Sequence, residues 1–252
     1  MLRPMKFALI TDIHANAQAL EAVLADAATR GVDRHVFLGD LVGYGGDPAG
    51  VVDRIAAMVR DDGAIAVRGN HDHFTCHAVP GTMHPDAAIA LEWTREKLSP
   101  AQLDFLGELP ITERRGECLF VHASAYQPAS WIYIQGRAEA MQSLQATDAH
   151  YTFCGHMHEP MLYHMSGTGK AGDFRPEPDI EIPLLPHRQW LVIPGSCGQP
   201  RDGNPAACYA VFDDERSALT YHRVPYDVEA AAARIREAGL PERLAARLSE
   251  GH

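Results

Sequence analysis

Long apolar runs and positive charge are both scarce in this sequence. No stretch of about 18 consecutive apolar residues occurs, so the sequence predicts no transmembrane helix. The 22 Lys and Arg residues are outnumbered by 33 Asp and Glu residues, which gives a formal net charge of -11. This charge disfavours a nucleic-acid polymer or an anionic membrane as the main partner. An anionic substrate would therefore need a local source of positive charge, such as bound cations.

Cysteine is also sparse and shows no disulfide pattern. The five cysteines are odd in number and widely spaced: Cys76, Cys118, Cys154, Cys197 and Cys208. This spacing predicts reduced thiols in a cytoplasmic protein. An apolar strand pattern begins as early as Lys6, so we expect no signal peptide. Cys197 follows Ser196, but no strand-turn-helix elbow surrounds the pair, and neither is favoured as a nucleophile.

The chain lacks internal repeats, low-complexity tracts and a convincing linker, and we predict a single domain over residues 1–252. The first half alternates strand and helix patterns, as in α/β proteins, and the second half is richer in strands. Residues 73–109 interrupt the alternation as a helical insertion, with a loop at Pro80-Gly81. Residues 167–178 are rich in Gly, Pro and charge and predict a mobile loop, and the tail from Asp227 predicts an amphipathic helix.

Polar side chains follow five predicted strands at their carboxyl ends. The tetrad Gly69-Asn70-His71-Asp72 follows the apolar run 65–67 and comes well before the next predicted helix. Four other apolar runs end in the same way. Because the carboxyl ends of buried strands share one edge of a sheet, we expect these side chains to lie close together. The candidate metal ligands are Asp12, His14, Asp40, Asn70, His122, His156 and His158.

These seven ligands are too many for one tetrahedral ion, and they suit two ions that share a bridging carboxylate. Two carboxylates beside two divalent cations leave a positive site, which attracts phosphate despite the acidic surface. Imidazole and oxygen ligands without thiolate favour Mn, Fe, Zn or Ni. The alternative is a set of buried polar residues that only hydrogen-bond to one another, which five ordered motifs disfavour.

Other residues near these motifs are candidates for contact with a substrate. His71 suits a general acid that protonates a leaving-group oxygen. Asp72 either orients the ring of His71 or caps the turn after the strand. Tyr44 and Trp131 lie in loops after the motifs and are candidates for stacking, as are His73, Tyr126 and Tyr133, although such aromatics often only pack. Arg201 is a candidate for phosphate binding, with a surface salt bridge as the alternative.

The ordered motifs resemble those of the calcineurin-like metallophosphoesterase superfamily. The residues that carry the resemblance are Asp12-Ile13-His14, Gly39-Asp40, Gly69-Asn70-His71-Asp72, His122 and Gly155-His156-Met157-His158. The later Pro194-Gly195-Ser196 and Gln199-Pro200-Arg201 are similar to a compact bacterial and archaeal subgroup of predicted phosphoesterases. The resemblance implies an α/β four-layer sandwich, in which two mixed β-sheets lie face to face and helices flank them.

The resemblance also implies a ligand assignment and an activity. One ion would be held by Asp12, His14, Asp40 and His158. The other would be held by Asp40, Asn70, His122 and His156, with Asp40 as the bridge. His71 would contact the scissile phosphate. The implied function is hydrolysis of a small phosphodiester, phosphomonoester or nucleotide by a metal-activated water.

Two further functions stay open at this point. A phosphoprotein phosphatase is less favoured because the arginines that bind phosphate in that branch have no clear counterpart: Asp72 and His73 follow Asn70-His71. A non-catalytic binding scaffold with the same fold is disfavoured because all seven ligands and His71 are present. The leucines of the C-terminal helix predict core contacts, with a homo-oligomer as the second interpretation.

Overall fold

A computed structural model describes residues 4–79 and 83–252 and contains two six-stranded mixed sheets. The loop predicted at Pro80-Gly81 lies outside the described residues. In spatial order, the first sheet consists of β3 (Ile65–Ala66), β2 (Arg34–Phe37), β1 (Lys6–Ile10), β11 (Ala207–Asp213), β12 (Ala218–Val224) and β9 (Glu181–Pro183). The second sheet consists of β4 (Thr112–Arg115), β5 (Cys118–Val121), β6 (Tyr151–Phe153), β10 (Arg188–Pro194), β7 (Pro160–Ser166) and β8 (Ala171–Phe174).

Helices cover the outer faces of both sheets. They are α1 (Ala17–Ala28), α2 (Pro48–Asp61), α3 (Asn70–Cys76), α4 (Pro85–Lys97), α5 (Pro100–Glu108), α6 (Arg137–Gln145), α7 (Val228–Glu237) and α8 (Glu242–Glu250). Helices α1, α2 and α5 pack on the first sheet, and α6 packs on the second. The predicted four-layer α/β sandwich is confirmed. Among the described residues, none of these helices has the length and apolar character to span a bilayer.

Because side chains alternate along each strand, the first sheet has one apolar core on each of its two faces. On β1, Phe7 and Leu9 face the second sheet, whereas Ala8 and Ile10 face the helices. The ring of Phe7 lies 5.9 Å, centroid to centroid, from Phe120 on β5, so the two sheets are in direct aromatic contact. Strands β1, β2 and β3 run parallel to one another, as do β5 and β6. The polar loops that follow these parallel strands therefore lie at the same edge of each sheet.

Two local predictions are wrong. The tetrad does not lie well before its helix, because α3 begins at Asn70. The carboxylate of Asp72 accepts a hydrogen bond from Gly69 N (2.9 Å) and stabilises this immediate start. The segment 167–178 is not a loop throughout, because β8 pairs with β7 in an antiparallel register that the local composition does not reveal.

The C-terminal tail is helical and amphipathic, as predicted. It forms two helices, α7 and α8, and Gly239 adopts a positive φ of 70° between them.

Candidate metal centre

The loops that follow β1, β2, β5 and β6 bring predicted ligands together in two groups. Ligand atoms within each group lie within 4.8 Å of one another. The first group contains Asp12, His14, Asp40 and His158, and the second contains Asp40, His122 and His156. The seventh predicted ligand, Asn70, lies beside the second group, with its Oδ1 3.1 Å from His122 Nε2. The structure therefore places all seven side chains at one site, with Asp40 common to both groups.

Each of the four histidines in these groups uses one ring nitrogen to contact a backbone carbonyl. The contacts are His14 Nδ1 to Val42 O (3.2 Å), His122 Nδ1 to Leu38 O (2.7 Å), His158 Nδ1 to Gln199 O (2.7 Å) and His156 Nε2 to Trp131 O (3.1 Å). A carbonyl only accepts, so the contacting nitrogen carries the proton. When a ring is neutral, its other nitrogen then offers a lone pair, which is the arrangement typical of metal-binding histidines.

These free nitrogens face each other in pairs. His14 Nε2 lies 3.2 Å from His158 Nε2, and His122 Nε2 lies 3.2 Å from His156 Nδ1. Two lone pairs at this distance repel unless a cation or a proton lies between them. Asp40 Oδ2 lies 3.7 Å from His14 Nε2 and 3.4 Å from His122 Nε2, so a single carboxylate oxygen faces both pairs. This donor set fits one metal ion in each group, with Asp40 shared.

The two carboxylates are held by backbone donors as well as by the histidines. Asp12 Oδ2 accepts hydrogen bonds from Thr11 Oγ1 (2.9 Å) and His156 N (3.0 Å), and Asp12 Oδ1 lies 3.3 Å from His158 Nε2. The approach of His156 requires a glycine before it, because a Cβ on Gly155 would lie 1.9 Å from Thr11 Oγ1. Asp40 Oδ1 accepts a hydrogen bond from His71 N (2.8 Å), which leaves Oδ2 for the histidine pairs.

Burial sets the charge states of this site. It raises the pKa of Asp12 to about 7 and lowers the pKa of His156 to about 3. It also lowers the pKa values of His14 and His158 well below the ordinary value, so these rings are neutral ligands. Burial acts to lower the pKa of His122 too, but the charge of Asp40 outweighs it and raises this pKa to about 9. A positive charge beside Asp40 is thus favoured by the surrounding protein.

Five of the seven candidate ligands have left-handed backbone conformations. The φ angles are 52° for Asp12, 49° for His14, 52° for Asp40, 68° for His156 and 61° for His158. Such conformations are uncommon outside glycine and cost on the order of 1–3 kcal/mol each, so they persist only where surrounding structure enforces them. Their concentration in this one region is typical of a functional site, and nothing in the local sequence pattern predicted it.

His71 lies against the first group. Its ring centroid is 4.5 Å from that of Tyr44 and 5.0 Å from that of His14. Its Nδ1 is buried and has no hydrogen-bond partner among the described residues. This nitrogen packs against Gly43, where a Cβ would lie 2.6 Å from it. Burial lowers the pKa of His71, so the ring is neutral near pH 7.

Within the described part of the chain, Asp72 makes no hydrogen bond to the ring of His71. Its Oδ1 accepts hydrogen bonds from Leu41 N (2.9 Å) and Val42 N (3.2 Å), and its Oδ2 accepts one from Gly69 N (2.9 Å). These contacts connect the loop after β2 to the start of α3. Of the two roles predicted for Asp72, they support the capping of the turn.

The candidate substrate-binding side chains also lie beside the ligands. The ring of Trp131 is 6.0 Å from that of His122. Tyr133, which is 46% exposed, stacks on His156 at 3.8 Å between ring centroids. Arg201 donates its backbone N–H to His158 O (3.2 Å). Sequence reasoning missed the buried Ser196, whose hydroxyl donates to Asp12 O (2.8 Å), although its motif had been noted.

Comparison with known proteins identifies the family. The sequence model of the calcineurin-like phosphoesterase superfamily domain matches residues 5–217. The chain belongs to the calcineurin-like phosphoesterase superfamily. It is a metallophosphoesterase, a hydrolase that acts on phosphoester bonds, as the motifs predicted. This family is metal-dependent, which agrees with the buried cluster of ligands.

Individual relatives match over almost the whole chain. "Uncharacterized protein MJ0912" of Methanocaldococcus jannaschii is 33% identical and covers 97% of both sequences. The crystal structure of a metallophosphoesterase from Sphaerobacter thermophilus is 35% identical, has a TM-score of 0.86, and covers 99% of this chain and 100% of that one. Hypothetical protein PH1004 from Pyrococcus horikoshii OT3 has the same fold, with 20% identity, a TM-score of 0.78 and 98% coverage of both chains.

The contact between Gly43 and His71 yields a prediction. Gly43→Ala should push the ring of His71 away, because the new Cβ would lie 2.6 Å from Nδ1. A displacement of about 1 Å at a reacting group costs up to roughly 100-fold in rate, so we expect kcat for a phosphodiester with a poor, alkyl leaving group to fall by about ten- to 100-fold. Metal content, measured by mass spectrometry, should not change, because the three atoms nearest to the new Cβ all belong to His71, which is not a candidate metal ligand.

Gly169→Ala is the matched control. Gly169 has a φ of 79°, close to the 92° of Gly43, but nothing lies within 4 Å of the position that a Cβ would take there. It therefore carries the same backbone strain, of about 1–2 kcal/mol, without the steric contact. An equal loss of kcat in both variants would show that strain, and not the displacement of His71, lowers the activity.

Proposed function

We propose that this protein hydrolyses a small phosphorylated substrate with two metal ions bound at the cluster. One ion would be held by Asp12, His14, Asp40 and His158, and the other by Asp40, Asn70, His122 and His156. The observation that carries the proposal is the position of Asp40 Oδ2, which faces both pairs of imidazole nitrogens. The candidate metals are Mn, Fe, Zn and Ni, because the donors are imidazole and oxygen without thiolate.

The bound ions would supply Lewis-acid stabilisation of the phosphoryl oxygens and activation of a water. The protein's own groups position these functions. The carbonyls of Leu38, Val42, Trp131 and Gln199 fix the tautomers of the four histidines in advance. Backbone N–H groups orient the side chains of Asp12 and Asp40 before a cation binds. Such preorganisation lowers the barrier because the site is not reorganised during the reaction.

His71 is the proposed proton donor to the leaving-group oxygen. Its Nδ1 is enclosed by Gly43, which leaves Nε2 as the atom that can offer a proton. The ring is neutral near pH 7, so a second role competes: Nε2–H can donate a hydrogen bond to a phosphoryl oxygen without transferring the proton. The two roles differ in how strongly the rate depends on the leaving group.

The metal content is the first test of this proposal. The purified protein should contain about two transition-metal ions per chain, and exhaustive chelation should abolish hydrolysis, with Mn restoring it. Asp40→Asn should lower the occupancy of both ions, because the same oxygen faces both groups. Asp148→Asn, at an exposed aspartate paired with Arg114, is the control and should keep both ions. Full activity after chelation would contradict the proposal.

The role of His71 is tested with two leaving groups. If His71 is the general acid, His71→Asn should lower kcat by roughly 10²–10⁴ for esters with poor, alkyl leaving groups. The loss should be smaller for nitrophenyl esters, because nitrophenolate leaves without a proton. His77→Asn, at an exposed histidine at the end of the same helix, is the control. Equal losses on both substrates, with metal content unchanged, would assign His71 to phosphate binding.

Aromatic side chains around the ligands favour a nucleotide-type substrate, such as a phosphodiester or a phosphoanhydride, over a phosphopeptide. Trp131 lies beside His122, and the exposed ring of Tyr133 covers His156. Tyr44 lies on the other side, against His14 and His71. These rings offer stacking surface for a base, which contributes about 1–3 kcal/mol per base in single-strand binders. A phosphopeptide would make little use of such a surface.

This substrate preference is tested with Trp131→Ala. We expect KM for a nucleotide ester to rise about tenfold, in line with the loss of one stacking contact, and KM for bis-p-nitrophenyl phosphate to rise less. Trp93→Ala, on α4 outside the ligand cluster, should change neither value. A higher kcat/KM for phosphoserine peptides than for nucleotide esters would show that the phosphoprotein phosphatase interpretation is correct.

A further inference from the structure

Three arginines from two distant segments line one cavity beside the candidate metal centre. Arg201 lies in the loop between β10 and β11, and Arg243 and Arg247 lie four residues apart on α8, so they share a face of that helix. The cavity has a volume of about 180 Å³. Its remaining lining residues are Tyr44, His84, Asp86, Ala87 and Leu244. None of the seven candidate metal ligands lines it.

None of these three arginines forms an ion pair with a carboxylate side chain in the described part of the chain. Ten other arginines do form such pairs. Within residues 4–79 and 83–252, no side-chain carboxylate oxygen lies within 4.0 Å of a guanidinium nitrogen of Arg201, Arg243 or Arg247. The residues outside these ranges carry no carboxylate side chain. Asp86 lines the cavity but offsets only one of the three positive charges.

Some N–H donors of these arginines have no hydrogen-bond partner among the described residues, and one of them is buried. Nε of Arg201 is buried and has no partner among the described residues, while its Nη2 donates to Gln199 Oε1 (2.8 Å). Arg247 donates from Nε to His252 O, and its two Nη atoms make no hydrogen bond within the described part of the chain. Burial and the like charges of Arg201 and Arg243 lower the pKa of Arg247. The like charges of the three arginines therefore repel one another, and Asp86 is the one carboxylate side chain among the residues that line the cavity.

The cavity adjoins the proposed reaction site through one side chain. Tyr44 lines it and also contacts His14 and His71, with ring centroids at 4.8 Å and 4.5 Å. Arg201 belongs to the segment that holds His158, through its backbone N–H. A volume of 180 Å³ is smaller than the roughly 300–1,000 Å³ of pockets that hold whole ligands. It suits one compact anionic group, and arginines bind phosphate through paired N–H donors.

We propose that Arg201, Arg243 and Arg247 form a subsite for a phosphoryl group that is not cleaved, so that the preferred substrate carries a second phosphate. This proposal rests on the phosphohydrolase function proposed above. The metal centre would take the reacting phosphoryl group, and the arginine subsite would take the other one across Tyr44. Monoesters and diesters without a second phosphate would leave the arginines unneutralised.

The first experiment measures binding without any hydrolysis. Protein stripped of metal and desalted is titrated with inorganic phosphate by calorimetry. Arg243→Ala and Arg247→Ala should each weaken binding at least tenfold, and Arg247→Lys should weaken it less because the charge stays. Arg60→Ala removes an exposed arginine paired with Asp61 on α2 and should bind like the unmodified protein. Equal binding by all variants, or no binding at millimolar phosphate, would overturn the subsite.

The second experiment compares two substrates with the same leaving group. The p-nitrophenyl esters of thymidine 5′-phosphate, with and without a 3′-phosphate, both release nitrophenolate. We expect the metal-loaded protein to prefer the 3′-phosphorylated ester at least tenfold in kcat/KM, and the ratio to approach one in Arg243→Ala. The ratio in Arg60→Ala should equal that of the unmodified protein. A ratio near one in the unmodified protein would overturn the proposed preference.

These experiments separate the two proposals. If neither ester is hydrolysed by the metal-loaded protein, the proposed phosphohydrolase function fails, and the calorimetric result still decides whether the arginines bind phosphate. If both esters are hydrolysed equally and phosphate binding is insensitive to Arg243→Ala, the function stands and the subsite fails. Arg247 is half-buried, so its substitution could disturb folding. Circular dichroism of each variant verifies that the fold is retained.

Discussion

The site depends on two pairs of imidazole nitrogens that face each other at 3.2 Å close to Asp40, where two lone pairs would repel unless a cation or a proton lies between them. Each ring is prevented from turning away because its second nitrogen is hydrogen-bonded to a backbone carbonyl. Rings fixed in this way can relieve the repulsion only by placing a cation or a proton between them. The fold therefore favours a positive charge at this position. The negative charge of Asp40 has the same effect, because it stabilises a proton on His122 and raises the pKa of that ring.

The strained loops are stabilised by backbone hydrogen bonds between loops of the same sheet and by aromatic packing between the two sheets. Asp12 N donates to Gly39 O (3.1 Å) and His14 N to Asp40 O (3.0 Å), which joins the loops after β1 and β2. Gly155 N donates to His122 O (2.8 Å), which joins the loops after β5 and β6. These backbone bonds and the aromatic core between the sheets enforce left-handed conformations that the isolated segments would not hold. The free energy gained by burying apolar side chains in the sandwich offsets the cost of these left-handed conformations.

The ligands were predictable because each lies at the end of an apolar run, where the local sequence alone indicates a strand. The cap of α1 is equally local, because the side chain of Asn16 accepts a hydrogen bond from Ala19 N (3.0 Å), only three residues along the chain. Interactions between distant segments were not predictable. Strand β8 depends on pairing with β7, the role of Asp72 depends on the loop after β2, and the arginine cluster depends on how α8 packs beside Tyr44.

The distribution of charge explains how an acidic protein can act on an anion. The net charge of -11 is spread over a surface where most arginines are neutralised by neighbouring carboxylates. Part of the positive charge that has no carboxylate side chain beside it lies in a concave region, where the field of a charge is stronger than on an open surface. At the candidate metal centre, Asp12 and Asp40 would be too few to neutralise two divalent ions, and in the adjoining cavity three arginines face a single aspartate. With the proposed function, the acidic surface would disfavour large polyanions while these two concave regions would attract compact anions, so the same charge pattern would give both selectivity and affinity.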